Sequence, residues 1–254
     1  MITKRRMFAT LGALGAVGLA LPLIMPVQAQ VAGGIASPNG EPVLIELFTS
    51  QGCSSCPPAD RLAARLASNP DLVVIARPVT YWDQLGWKDT LAREDNTDLQ
   101  RAYARAGLAG RNGVYTPQVV IDGAFGAIGS READIRTGVA RFGGLGKAAI
   151  RVNDRGGEGI KVGIGGATAT PADLVLIAVT RKVEVGIGRG ENGGRAVTYT
   201  NVLREERTIA SWQGGKASHV IAADQLMTKG ADRYALVLRQ PDGGEVLAAR
   251  WLDQ

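Results

Sequence analysis

Residues Val43–Pro58 have the sequence V-L-I-E-L-F-T-S-Q-G-C-S-S-C-P-P. The apolar run at the beginning has the length of a buried strand, and a short polar turn follows it. After the turn, Leu62 and Leu66 stand four residues apart, which predicts a helix. The two prolines fit the first turn of that helix, because they lack the N–H donors that this turn leaves unpaired. The only two cysteines of the chain, Cys53 and Cys56, therefore lie where a buried strand passes into a helix.

This placement of the two cysteines indicates a dithiol–disulfide redox site. A helix N-terminus favours negative charge, because its first N–H groups are unpaired and the helix dipole is positive there. That field stabilises a thiolate at Cys53 and so favours its reactive form near neutral pH. We expect Cys53 to meet solvent and attack, and Cys56, about one turn deeper, to resolve the mixed disulfide.

Other uses of two cysteines fit the sequence less well. A zinc site needs four ligands, and the chain has one histidine, His219, far downstream. Haem attachment needs a histidine after Cys56, where Pro57 stands. A Cu(I) carrier stays open, although no Met or His cluster supports it. We expect no metal and no cofactor. A purely structural disulfide is the main alternative, although closing so short a loop gives the smallest entropic gain.

Residues 1–29 have the three parts of a secretory signal peptide. Lys4, Arg5 and Arg6 precede an apolar, Gly/Ala-rich segment, and small residues end it at Ala29. The apolar segment is short and Gly-rich for a transmembrane helix. We therefore expect a periplasmic or secreted protein with no stable membrane anchor after cleavage. The segment from Arg5 resembles a twin-arginine signal, but ordinary export signals also carry two basic residues, so both routes stay open.

The basic character of the chain is partly a property of that segment. The sequence has 29 basic and 24 acidic residues, and three of the basic ones lie within residues 1–29. The remaining chain is nearly balanced in charge, so it does not indicate nucleic-acid binding. An exported protein enters an oxidising compartment, where disulfides persist. The expected partners are protein thiols and disulfides of the cell envelope.

Strand and helix signals continue after a linker at residues 30–41. Residues 72–76 predict a second buried strand, whose spacing from the first suits a βαβ crossover. Residues 81–89 are unusually aromatic, and their side chains either line a binding face or cap the core from outside. The candidate substrate-binding residues there are Tyr81, Trp82, Asp83 and Trp87.

A helix, a hairpin and a further helix complete this half of the chain. Asp98–Leu108 predicts an amphipathic helix. Thr116-Pro117 precedes two short strands, which Asp122-Gly123 joins as a strong hairpin dipeptide. Ser130 is the expected N-cap of the next helix.

The cysteine pair on the first helix and Thr116-Pro117 before a β-hairpin resemble the thioredoxin and glutaredoxin superfamily. In that superfamily the proline is cis and faces the cysteines, so the resemblance implies that Thr116 and Pro117 belong to the site. More narrowly, the chain resembles the secreted thioredoxin-like family known as domain of unknown function 1223. The family implies a fold, whereas its activity is not established. The segments that carry this resemblance are E-L-F-T-S-Q-G-C-S-S-C-P-P-A-D (46–60), Y-W-D-Q-L-G-W-K-D (81–89), Y-T-P-Q-V-V-I-D-G (115–123) and G-R-G-E-N-G-G-R (188–195).

The resemblance departs from the family pattern just before residue 81. The family has His and Asp in the strand there, whereas this chain has Arg77-Pro78-Val79-Thr80. If those polar groups tune the thiols, the tuning differs in this chain.

The pattern changes after a glycine-rich hinge at residues 142–146. Seven or eight short β-runs in about a hundred residues favour an antiparallel β-sandwich. Residues 188–193 match a dinucleotide fingerprint by spacing, but a strand pattern follows them, so we interpret them as a hairpin loop. Its Arg189 and Arg195 could hold an anion or the other domain, although a solvated turn is favoured. The expected organisation is a signal peptide (1–29), a linker (30–41), a thioredoxin-like α/β domain (42–144) and the β-sandwich (147–254).

Two functions of different kinds follow from these patterns. The first is an exported thiol–disulfide oxidoreductase, with oxidation, reduction and isomerisation all open. The second is a thioredoxin-like binding protein whose cysteines form a structural disulfide and whose β-sandwich binds a partner. For the enzyme, Glu46 is a candidate proton acceptor for Cys56, because it interrupts an apolar strand seven residues before Cys53.

Overall fold

The computed structural model describes residues 1–2, 35, 37–146, 148–156 and 159–253. The predicted signal peptide after residue 2 and half of the predicted linker lie outside these residues. Residues Gly34–Gln254 form one compact unit. Among the helices described, none has the length and apolar character needed to cross a bilayer.

The first half of the unit alternates strands and helices. β1 (Val43–Thr49) leads through the cysteine turn into α1 (Pro57–Leu66), and β2 (Leu72–Pro78) returns parallel to β1. The following elements are α2 (Glu94–Ala106), β3 (Ala109–Gly110), β4 (Gln118–Ile121), β5 (Phe125–Ile128) and α3 (Glu132–Phe142). The predicted Asp122-Gly123 hairpin between β4 and β5 is confirmed, and both of its central residues have positive φ, 44° and 67°.

The second half consists almost entirely of antiparallel strands. They are β6 (Ala148–Gly156), β7 (Gly159–Gly166), β8 (Ala172–Ile187), β9 (Arg195–Trp212), β10 (Ala217–Ala222), β11 (Arg233–Arg239) and β12 (Val246–Trp251). A short 3₁₀ turn at Ala223–Leu226 separates β10 from β11. The sequence pattern predicts separate strands at residues 174–179 and 183–187, both within β8, and at residues 196–202 and 207–211, both within β9. Each pair is one long strand, because exposed polar residues such as Arg181 interrupt the apolar pattern without ending the backbone pairing.

Strands of both halves join in one nine-stranded sheet with the order β12-β11-β8-β9-β2-β1-β4-β5-β3. The two halves meet where β9 pairs with β2 at Ala76 and Val202. Asn201, with φ of 50°, strengthens this junction by donating a hydrogen bond to the carbonyl of Val74 at 2.9 Å. The separate sandwich expected for residues 147–254 differs from this arrangement, since its larger layer continues into β2.

A smaller sheet covers one face of the second half. It has the order β10-β7-β6 and packs against β8, β11 and β12 through a shared apolar core. Representative side chains of that core are Ile150, Val162, Leu174, Leu236 and Leu247.

The two faces of β1 point to different layers, and this determines what lies near the cysteines. Ile45 and Leu47 pack with Leu62 on the face that carries α1 and α3. Phe48 packs on the opposite face, edge-on against Tyr103 of α2 with ring centroids 6.3 Å apart. Because side chains alternate along a strand, Glu46 lies on the α2 face, away from α1.

Candidate functional site

A disulfide joins Cys53 and Cys56 in the turn between β1 and α1. Cys56 is the N-cap of α1 and has helical backbone angles. Both cysteines are 0% exposed, whereas Ser54 and Ser55 between them are exposed. The expectation that Cys53 meets solvent therefore differs from the structure, because segments from elsewhere in the chain cover it.

One covering segment is the loop between β8 and β9, residues 188–194, which we name the hairpin loop. Its Asn192 is 0% exposed and donates hydrogen bonds to the carbonyl oxygens of Gln51 at 3.0 Å and Cys53 at 2.8 Å. The amide oxygen of Asn192 accepts a hydrogen bond from Arg195 at 3.1 Å. The predicted hairpin is confirmed by the pairing of β8 with β9. It is more than a solvated turn, because a buried amide of its loop holds the cysteine turn.

The hairpin loop makes a second contact at the surface. The carboxylate of Glu191 accepts a hydrogen bond from the backbone N–H of Ser54 at 3.1 Å. Hydrogen bonds from Ser54 lower the pKa of Glu191, so this carboxylate is ionised near neutral pH. The hairpin loop therefore forms hydrogen bonds with the cysteine turn on both its buried side and its exposed side.

The aromatic segment 81–89 covers the turn from another side. Trp87 donates its indole N–H to the side-chain oxygen of Gln51 at 2.8 Å, and Asp89 accepts the backbone N–H of Gln51 at 2.8 Å. The indole N–H of Trp82 bonds Thr116 Oγ1 at 2.8 Å. A Cβ on Gly52 would lie 3.2 Å from the Cβ of Trp82, so Trp82 stands directly beside the turn.

The four candidate binding residues in this segment are only partly exposed. Trp82 and Trp87 contact the cysteine turn, as described. Asp83 instead accepts the backbone N–H of Asp89 at 3.1 Å, and Tyr81 packs against the cluster around Phe48. The segment therefore supports the turn through Trp82 and Trp87, while each of the four side chains keeps part of its surface exposed.

Pro117 lies beside the first turn of α1. The Thr116–Pro117 peptide bond is cis, as the resemblance implies. A Cβ added to Gly129 would lie 3.1 Å from the Cβ of Pro117 and 3.2 Å from the Cβ of Ala59 in α1. The structure thus brings together Cys53, Cys56, Thr116, Pro117 and Trp82 from three separate segments.

A buried acid follows the disulfide by one helical turn. Asp60 is 3% exposed, and its Oδ1 accepts a hydrogen bond from Thr49 at 2.8 Å. Its Oδ2 is buried without a hydrogen-bond partner. Burial and, to a smaller extent, the nearby Asp89 raise the pKa of Asp60 from 3.8 to about 8, against the lowering effects of Thr49 and Arg61. At neutral pH this carboxyl group is therefore largely protonated.

Asp60 lies on the same side of α1 as Cys56, one turn further along the helix. Its backbone N–H donates to the carbonyl of Cys56 at 3.1 Å. Residues four apart on a helix have Cβ atoms about 5–6 Å apart. A proton passes between two such side chains when they reach hydrogen-bond distance or share one water molecule.

Glu46, the expected proton acceptor, is engaged elsewhere. It is 0% exposed, and one carboxylate oxygen accepts hydrogen bonds from Arg77 at 2.6 Å and Arg239 at 2.7 Å. The other oxygen accepts the hydroxyl of Tyr103 at 2.5 Å. Both guanidinium groups also pair with Glu206. Glu46 therefore belongs to a buried ion network on the face opposite α1, and this placement does not fit a proton transfer to Cys56.

Two parts of this site were missed by sequence reasoning. Asp60 stands four residues after Cys56, so helical spacing could have placed it beside the cysteine. Asn192 lies in a segment that carried the family resemblance, but no local pattern indicated its contact with Cys53. In the described part of the chain, no three His, Cys, Asp or Glu side chains come together in a group that could hold a metal.

The chain belongs to a family of proteins of unknown function designated DUF1223, with a match over residues 44–239. A crystal structure of a protein from Agrobacterium tumefaciens is similar, with 30% sequence identity and a TM-score of 0.70. That match covers 83% of this chain and 93% of the other.

HBP35 of Porphyromonas gingivalis is also similar, with a TM-score of 0.52. The match covers 83% of this chain and 74% of the other, at 12% sequence identity, so it shows a likeness of fold alone. A comparison with curated proteins gave no match.

Proposed function

We propose that this protein is an exported thiol–disulfide oxidoreductase that reacts through the Cys53–Cys56 pair. The observation that carries the proposal is the disulfide at the start of α1 with a buried, largely protonated Asp60 one helical turn later. A carboxyl group with a pKa of about 8 is matched to a thiol, whose pKa is ordinarily about 8.5. Such a match favours proton transfer in both directions.

The same proposal includes a thioredoxin-like unit around the cysteines. Its support is the parallel pair β1 and β2 joined through α1, the antiparallel pair β4 and β5, and Pro117 beside the first turn of α1. The antiparallel strands from β6 onward form the second part, which contributes the hairpin loop to the site.

The reaction uses both cysteines and needs a partner thiol. A partner thiolate attacks Cys53, a bond forms between the two sulfurs, and the Cys53–Cys56 bond breaks. Cys56 leaves with the electron pair and takes a proton from Asp60. A second partner thiolate then attacks the mixed disulfide, so that the partner leaves oxidised and Cys53 leaves as the thiolate. The reverse sequence reduces a partner disulfide, and Cys56 returns its proton to Asp60.

A structural disulfide is the second candidate, because both sulfur-bearing residues are 0% exposed under the hairpin loop. A redox titration of the thiols against defined glutathione ratios separates the two candidates. Structural disulfides typically have potentials below about −300 mV, whereas those of labile and catalytic disulfides are higher. A value below that limit would contradict the oxidoreductase.

Trapping variants test the roles of the cysteines. Cys56→Ser should accumulate mixed disulfides with envelope proteins on non-reducing gels, because the attacking thiol remains and the resolving thiol is absent. Cys53→Ser should trap little. Pro117→Ala should lengthen the lifetime of the trapped complex. Equal trapping by both cysteine variants would contradict the assignment of roles.

Export is part of this proposal and rests on residues 1–29. The proposed partners are thiol- or disulfide-bearing proteins of the cell envelope. Determination of the N-terminal residue of the protein recovered from a periplasmic fraction tests it. A mature chain that begins near residue 30 is the expected result, and a cytoplasmic chain that retains Met1 would contradict it.

A further inference from the structure

An open cleft of about 590 Å³ lies beside the disulfide. One wall is the start of α1 and the other is the start of β9. The lining residues are Pro57, Arg61, Arg195, Ala196, Val197 and Thr198. Pro57 directly follows Cys56, and Arg195 bonds the Asn192 that holds Cys53. A chain that reacts at the disulfide therefore has this cleft within reach.

The cleft presents two positive charges without an internal counter-charge. Arg61 and Arg195 are exposed, and neither forms an ion pair within the described ranges. The acid nearest to Arg61 along the helix is Asp60, which is buried and largely neutral at pH 7. The acidic group of the hairpin loop, Glu191, is held by Ser54. The walls of the cleft therefore carry positive charge that an anion can neutralise.

We propose that the cleft binds a carboxylate of the thiol or disulfide substrate, namely an acidic side chain next to the reacting cysteine. The inference rests on the proposed oxidoreductase function. A planar guanidinium group matches a carboxylate geometrically, and the two arginines stand on facing walls of the cleft. The protein then prefers cysteines with acidic neighbours, and it positions them before the sulfurs react.

Two matched peptides measure this preference. They differ only in one residue beside their single cysteine, which is Glu in one and Gln in the other, and the cysteine is a mixed disulfide with uncharged thiopyridine. The reduced protein attacks the peptide sulfur, the thiopyridine leaves with the electron pair and a proton, and the second protein cysteine then releases the peptide thiol. The protein ends oxidised, and absorbance of the released thiopyridone gives the rate.

The Glu peptide should react about threefold to tenfold faster than the Gln peptide at low salt, as expected for exposed charge pairs. The ratio of the two rates should fall towards one in Arg61→Gln and at high salt, and Arg61→Lys should keep most of it. Arg65→Gln is the matched control. Arg65 is also exposed on α1, but it pairs with Glu132 and lines no part of the cleft. Its removal should leave the ratio unchanged.

The outcomes separate this inference from the function on which it rests. Equal rates with both peptides, or an unchanged ratio in Arg61→Gln, would overturn the carboxylate site and leave the oxidoreductase standing. Failure of the fully reduced protein to react with either peptide would overturn the proposed function, and the carboxylate site with it.

Discussion

At the scale of single residues, Asp60 is the group whose environment departs most from that of an ordinary surface carboxylate. Burial holds its pKa at about 8. The hydrogen bond from Thr49 offsets only part of the cost of removing the charge from water, and Oδ2 has no partner. Ionisation of a carboxyl group in this environment lowers the stability of the folded protein. The presence of Asp60 one helical turn after Cys56 is therefore consistent with a role in proton exchange.

The raised pKa of Asp60 has a defined effect on stability. The folded protein keeps a proton that the unfolded chain loses above its ordinary value, so stability falls as pH rises from about 3.8 to about 8. Asp60→Asn cannot ionise, so its free energy of unfolding should exceed that of the parent protein by up to about 5 kcal/mol more at pH 8 than at pH 4. Urea unfolding at both pH values measures it.

A control is needed because burial also raises the pKa of Asp122, to about 7. The contribution of Asp122 to the pH dependence of stability has the same sign as that of Asp60 and is present in both proteins. Only the difference between the parent protein and the variant therefore reports on Asp60. Asp98→Asn, which removes an exposed carboxylate of α2, is the control for the loss of a surface charge. A stability difference for Asp60→Asn that is the same at both pH values would contradict the prediction.

At the scale of elements, the hairpin loop determines access to the disulfide. Asn192→Ala removes the hydrogen bonds donated to the carbonyls of Gln51 and Cys53 and the one accepted from Arg195, which should cost about 1–3 kcal/mol. The cysteine turn should then open more often, so that dithiothreitol reduces the Cys53–Cys56 bond faster. Free thiols quantified during reduction measure the rate.

The same loop provides the control for that prediction. Arg189 is exposed and makes no ion pair in the part of the chain that the structure describes, so Arg189→Gln should leave the reduction rate close to that of the parent. If Asn192→Ala and the parent were reduced at the same rate, the loop would not control access.

Elements with local signals could be predicted from the sequence, and contacts between distant segments could not. The prolines after Cys56 and the dipeptide Asp122-Gly123 act on their own backbone, so the helix start and the hairpin were predictable. Asn192 and Cys53 are 139 residues apart, and nothing near either residue indicates that they meet. Glu46 was expected to be buried, but only the course of β2, β9 and β11 shows that arginines surround it.

At the scale of the whole molecule, a buried ion network ties together the strands of both halves. Glu46 on β1 and Arg77 on β2 meet Glu206 on β9 and Arg239 on β11. Three of these side chains are less than one-tenth exposed, so each charge depends on its partners for the stabilisation that water would otherwise give. The network lies close to the junction between β2 and β9 and secures it.

Glu46→Gln should therefore act on stability. Loss of the Glu46 carboxylate leaves Arg77 and Arg239 with an uncompensated buried charge. The free energy of unfolding should fall by about 3–5 kcal/mol as a result. Thermal unfolding by circular dichroism measures this loss. Glu94→Gln, which breaks an exposed pair with Arg101, is the control and should change stability by less than about 1 kcal/mol. A Glu46→Gln protein of parental stability but with slowed disulfide exchange would instead restore the catalytic role expected from the sequence.

Because both halves contribute strands to one sheet, we can test whether the expected boundary at residues 144–147 separates two independent domains. Residues 42–144 alone would lose β9, one of the two strands that pair with β2, and both charges that the second half contributes to the ion network. They would also expose Leu44, Val73 and Ile75, which share an apolar cluster with β8, β9, β11 and β12. Since a small domain is stable by only about 5–15 kcal/mol, this fragment should show no cooperative thermal transition.

Residues 30–254 are the control and should unfold in a single transition. A fragment that unfolds cooperatively would establish residues 42–144 as an independent domain, and the hairpin loop would then be an addition to a site that the first half completes alone.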